Sequence, residues 1–210
     1  KADIYFEEED FCPPVSPDIR EKAKNFLTLN QKKDWILVPG SIWHVKNQLS
    51  FFENLDSSIL KNFKIVIVGK VTDETYAEQI VEICDKKEID YLFIGEVSRD
   101  FLIELLCLSK ITIIPMDMRT FQQEKGYPRL LGESLNAKSI PLCYYPVTIP
   151  SYFSKAAIQY NDQNMNVILD QTISNLKDKQ YLAKYNWGSM NFENFCYMNL
   201  KKCLDLAQLK

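Results

Sequence analysis

Residues 63–69, Phe-Lys-Ile-Val-Ile-Val-Gly, form a β-branched run, apolar but for Lys64 and closed by a glycine. The run is short for a helix and lacks the alternation of a strand with one wet face. It reads as a strand buried on both sides of a sheet. Working outward, residues 35–38 (WILV) form a second such run, stopped by Pro39-Gly40, and 46–60 carry a helical pattern. On the other side a helix is expected over 74–87, with Tyr76, Ile80, Ile83 and Cys84 on one face. A strand at 91–95 (YLFIG), a helix over 99–108, a strand at 111–115 (ITIIP), a helix over 128–137 and a strand at 140–144 (IPLCY) follow.

Apolar runs alternating with amphipathic helices indicate βαβ units. The fold class expected is therefore α/β: a Rossmann-like parallel sheet with helices on both faces. Right-handed crossovers put the strand carboxyl ends along one edge, where open α/β sheets bind ligands. The loops after residues 38, 69, 95, 115 and 144 are the ones to inspect. An edge strand is expected near 156–160. From 163 onward the pattern is all helical, a C-terminal tail that breaks the alternation. Three segments result: a Pro-rich lead-in over 1–20, with a helix start at Ser16-Pro17-Asp18; the sheet domain over 21–160; and C-terminal helices over 161–210.

A net charge of −3 and a pI near 5.4 give no whole-surface attraction to nucleic acid, so no nucleic-acid partner is expected. No apolar run approaches the roughly 20 residues of a transmembrane helix, and residues 1–10 (KADIYFEEED) are acidic rather than signal-like. The six cysteines (Cys12, Cys84, Cys107, Cys143, Cys196 and Cys203) include no CxxC, and four lie in apolar patterns. They are expected as thiols rather than a disulfide framework, in keeping with a cytoplasmic location.

Three loops carry chemistry. In 39–48 (PGSIWHVKNQ), Gly40 permits a tight turn and Lys46 stands at a helix threshold. Lys46 is either a phosphate-binding cation or a solvated lysine of a first helical turn. His44, the only histidine, reads more readily as a surface residue than as a catalyst. In 95–98, Gly95 allows close backbone approach, Val97 can cover a base, and Ser98 can cap the next helix; a plain turn explains the same residues. The segment 116–133 (MDMRTFQQEKGYPRLLGE) is long beside the usual connection of about 2–6 residues. Gly126-Tyr127 opens the following helix and offers amides to an anion. Glu133 lies inside that helix, directed either toward the strand edge or to the surface, while Leu130, Leu131 and Leu135 face the core.

In order and spacing, Gly40 to Lys46 with Asn47, 65–69, Phe93-Ile94-Gly95-Glu96-Val97, Ile113-Ile114-Pro115, Gly126 to Glu133 and Ser139-Ile140-Pro141-Leu142 resemble the C-terminal, donor-binding half of the retaining GT-B glycosyltransferases of group 1. The likeness runs over residues 35–150, and Tyr185-Asn186-Trp187 with the closing helix resembles the family's last segment. The resemblance implies a transferase of glycan synthesis that moves a sugar from a nucleotide-diphosphate sugar to a hydroxyl. Lys46 would contact the diphosphate beside Gly40 and Ser41, the Gly126-Tyr127 amides the distal phosphate, Glu133 the ribose hydroxyls, and Gly95, Glu96 and Val97 the base. No cofactor and no metal are implied. An N-terminal acceptor-binding domain outside these residues would complete the enzyme, and through it a peripheral contact with the inner face of a membrane.

Two positions depart from the family. Ser41 replaces an arginine, and Lys125 falls where the first glutamate of the family's pair grips the donor sugar, with Glu124 one position early. Two other classes stay open on those residues: a non-enzymatic nucleotide-sugar-binding or scaffolding subunit, and a nucleotide-sugar 2-epimerase. The latter fits poorly with one histidine and few carboxylates at the strand ends. A dinucleotide oxidoreductase is disfavoured, because no GxGxxG follows the first strand.

Overall fold

The computed structural model describes residues 33–116, 129–145 and 157–178, together with 17–19, 21, 22, 25, 181 and 182, which are all helical. Six parallel strands form one sheet: β1 (Asp34–Pro39), β2 (Phe63–Val68), β3 (Tyr91–Gly95), β4 (Ile111–Ile114), β5 (Ile140–Tyr144) and β6 (Ile158–Tyr160). Their order is β3-β2-β1-β4-β5-β6. The connecting helices are α1 (Gln48–Asn54), α2 (Glu74–Lys86), α3 (Arg99–Leu108) and α4 (Arg129–Asn136), and α5 (Met165–Asn175) follows the last strand.

Near-continuous burial along the central strands explains their long apolar runs. Ile36, Val38, Ile65 and Ile67 pack with Phe51 and Phe52 of α1, Tyr76 and Ile80 of α2, and Met165 and Leu169 of α5. Residues of opposite parity, Trp35, Leu37, Val66 and Val68, join Leu105 and Leu106 of α3 in a second cluster. The two-residue strand period thus feeds two cores, one per face. β3 is half-buried along its length, as an edge strand is.

The helical pattern over 46–60 proves to be three pieces. A 3-10 turn at His44–Lys46 precedes α1, and a second follows at Ser57–Leu60. Asn47 sits between the first turn and α1 at φ 58°, a left-handed conformation that asparagine tolerates and a helix cannot continue through. Asp56 starts the later turn by accepting from the Ser58 amide at 2.9 Å. In α2 the expected face is as read: Tyr76, Ile80 and Cys84 are buried and Ile83 packs partly against them. Of the cysteines, Cys84 and Cys143 are buried, but Cys107 is exposed, so its apolar helix pattern did not place it inside.

The described part of the helical tail returns to the first βα unit. Asp162 accepts from the Tyr144 hydroxyl at 2.9 Å and from Ser50 Oγ at 3.3 Å. Asn166 accepts from the Asp56 amide at 2.9 Å and donates to the Asn54 carbonyl at 2.8 Å. These bonds, with Met165 and Leu169 in the main core, fix α5 across the sheet. The lead-in before residue 17, the closing segment 185–187 and Cys12, Cys196 and Cys203 lie outside the described residues.

Candidate functional site

The strand order reverses between β1 and β4. The chain builds from β1 out to β3, then crosses back to lay β4 on the other side of β1. Such a break in strand order is where open α/β sheets bind ligands, outside the carboxyl ends of the strands.

The loop after β1 is held from three sides. Gly40 donates to the Val68 carbonyl at 2.9 Å and Ile42 to Lys70 at 2.8 Å, which tie it to the end of β2. Gly69, at φ 154°, in turn donates to Gly95 at 2.8 Å, so the ends of β1, β2 and β3 form one ladder. Gln48 is fully buried, and its amide donates to the Ser41 carbonyl at 2.9 Å. Ser41 keeps the loop in register in this way, although it supplies no positive charge.

Lys46 ends the 3-10 turn, and its ammonium donates to Met116 Sδ at 3.4 Å. Asn47 Nδ2 donates to the Pro115 carbonyl at 3.1 Å. Together these contacts carry a half-buried lysine from the β1 loop to the end of β4, at the break in strand order. The left-handed Asn47 sets that course. His44 is exposed and meets Trp43 edge to face at 5.3 Å, which suits the surface role read from the sequence.

Glu133 is 6% exposed, so the surface alternative for this residue does not hold. It accepts two ion pairs on one oxygen: Arg99 at 3.1 Å and Arg129 at 3.4 Å, both to Oε1. Burial pushes its carboxyl above the usual range, and the nearby Arg99 and Arg129 guanidiniums draw it back in part. Arg99 follows the 95–98 loop directly, and Ser98 caps its helix by accepting from the Phe101 amide at 3.3 Å. The structure therefore ties Glu133 to Arg99, the first residue of the helix after the Gly95-Glu96-Val97 loop. Val97 packs partly on the second core cluster, whereas Glu96 is exposed. Glu124, Lys125, Gly126 and Tyr127 lie outside the described residues.

Sequence reasoning missed Arg99, Met116 and Gln48 as parts of this edge. Arg129 had a visible signal, its i,i+4 spacing from Glu133 on one helix. Arg99 had none, because its partner belongs to another βα unit.

Comparison with known proteins follows the same fold. The family described as glycosyl transferases group 1 matches residues 19–186. No curated protein matches the sequence. A glycosyltransferase from Rickettsia africae ESF-5 superposes with a TM-score of 0.70 at 18% identity, covering 94% of this chain and 53% of that one. WaaG, a glycosyltransferase involved in lipopolysaccharide biosynthesis, gives 0.65 at 15% identity, covering 90% and 51%. A trehalose-6-phosphate structure from E. coli, bound with UDP-2-fluoro glucose, gives 0.57 at 9% identity, covering 84% and 42%. The chain spans about half the length of the solved structures it matches.

Proposed function

The chain belongs to the glycosyl transferases group 1 family, and on that premise we propose that it is the nucleotide-sugar-binding half of a retaining glycosyltransferase acting in glycan synthesis. The observation that carries this reading is Lys46, delivered by its contact with Met116 to the break between β1 and β4. A cation fixed there meets the diphosphate of a donor and stabilises the charge that grows on the leaving nucleoside diphosphate. Glu133 supplies the ribose contact and the Gly95–Val97 loop the base contact. The Gly126-Tyr127 amides take the distal phosphate, and Lys125 or Glu124 addresses the donor sugar. The neighbour bound with UDP-2-fluoro glucose supports a donor of this chemical class.

The matched structures are about twice as long as this chain, which supports a second, acceptor-binding half as its partner. The transfer would need both halves, so residues 21–160 with the helices after them would bind donor and turn over little alone. We place the reaction on the cytoplasmic side, where the acceptor half would make any membrane contact. Among the described residues no helix is long and apolar enough to cross a membrane.

Calorimetry with UDP, GDP and their sugars tests the reading. Saturable binding at ligand concentrations up to about millimolar is expected. Its absence for all of them removes the proposal.

A further inference from the structure

We propose that Arg99 is a positioning residue for the donor, holding the Glu133 carboxylate in the orientation that receives the ribose hydroxyls of a nucleoside diphosphate. The inference rests on the donor-site reading above and adds a residue to it. Arg99 opens α3 after β3, and Glu133 lies in α4 between β4 and β5. In the sheet, β2 and β1 separate β3 from β4. The 3.1 Å ion pair therefore joins two βα units whose strands are not neighbours, through helices α3 and α4 that share one face of the sheet.

Arg129 is placed differently. It sits one turn before Glu133 on the same helix and moves with it, so its 3.4 Å contact fixes only a local rotamer. Of the two, Arg99 ties the carboxylate to a second helix, the one that follows the loop that would hold the base. Both ion pairs fall on Oε1. The Glu133 side chain is 8% exposed, whereas those of Arg99 and Arg129 are 38% and 42% exposed. The guanidiniums form a rim and the carboxylate a floor. A buried glutamate left without the rim favours its neutral form, which accepts hydroxyl donors less strongly.

A strap that merely joined α3 to α4 would show the same ion pair, and a ribose-dependent measurement separates the two roles. The full chain and its Arg99→Ala and Arg99→Gln variants are titrated with UDP and GDP, each beside its 2′,3′-dideoxy counterpart. Circular dichroism establishes that each variant is folded. Both variants should lose about tenfold in affinity for the ribose form and leave the dideoxy form unchanged. Arg99→Lys, which keeps a charge without the fork, should fall between them and the wild type. Equal losses for both ligand forms, or none, overturn the positioning role while wild-type binding leaves the donor-site reading intact. A wild type that binds neither nucleotide overturns both.

Discussion

The carbonyl of Gly40 occupies the space where a Cβ on Gly69 would have to sit. The two residues end adjacent strands, and their backbones meet so closely that Gly69 lacks room for any side chain. Its φ of 154° also disfavours a side chain there. Gly69→Ala should cost about 2–4 kcal/mol through backbone strain and overlap. Urea unfolding at neutral pH measures it, and a variant as stable as the wild type would show that the two loops separate readily.

Lys46→Ala should remove a charge from the diphosphate and nothing from the nucleoside. Affinity for UDP or GDP is expected to fall about 10- to 100-fold, with uridine or guanosine binding unaltered. An equal effect on nucleoside and nucleotide would place Lys46 in a structural role.

Glu133 makes stability depend on pH with a definite sign. Its folded-state carboxyl titrates above the ordinary value because of burial. Between the ordinary and the raised value, the folded chain holds more protons than the unfolded one. Its contribution to stability therefore falls as pH rises through that window. Ribose binding runs the other way, strengthening as the carboxylate ionises. Denaturation and UDP titration between about pH 4 and 8 should show opposite slopes from this residue, and Glu133→Gln should abolish both. Identical pH profiles for wild type and variant would contradict the assignment.

Tyr76 connects α2 to the start of α1, since its hydroxyl accepts from the Leu49 amide at 2.8 Å. Tyr76→Phe leaves that half-buried amide without its partner and should destabilise by about 1–3 kcal/mol. Hydrogen exchange at Leu49 should quicken in the same variant. An unchanged rate would mean the bond does not protect this turn.

Burial pushes the Cys84 and Cys143 thiols up to about 12, whereas Cys107 is exposed. Alkylation of the native chain near pH 8 should label Cys107 ahead of both, with mass spectrometry locating the adduct. Labelling of Cys84 or Cys143 at the same rate would show that the core opens freely.

The fold was largely legible. The runs at 35–38 and 65–68 could be read as strands because burial on both faces leaves no polar position to interrupt them. Helix limits near 46–60 were not, because one residue, Asn47, turns left-handed and bonds Pro115 at the end of the neighbouring strand β4. For the candidate site, Lys46 could be named from its place beside Gly40. Its height over β4 could not, since Met116 approaches it only after the crossover is made.

Glu133 shows the division most clearly. By itself the sequence determined an α/β alternation, the edge on which ligands bind and a glutamate inside the fourth helix, because strand and helix periodicities are local. Only the tertiary structure decided that this glutamate is buried rather than exposed. Its environment comes from Arg99 in a different βα unit. The order β3-β2-β1-β4 brings those units to one edge, and no spacing along the chain encodes that distance.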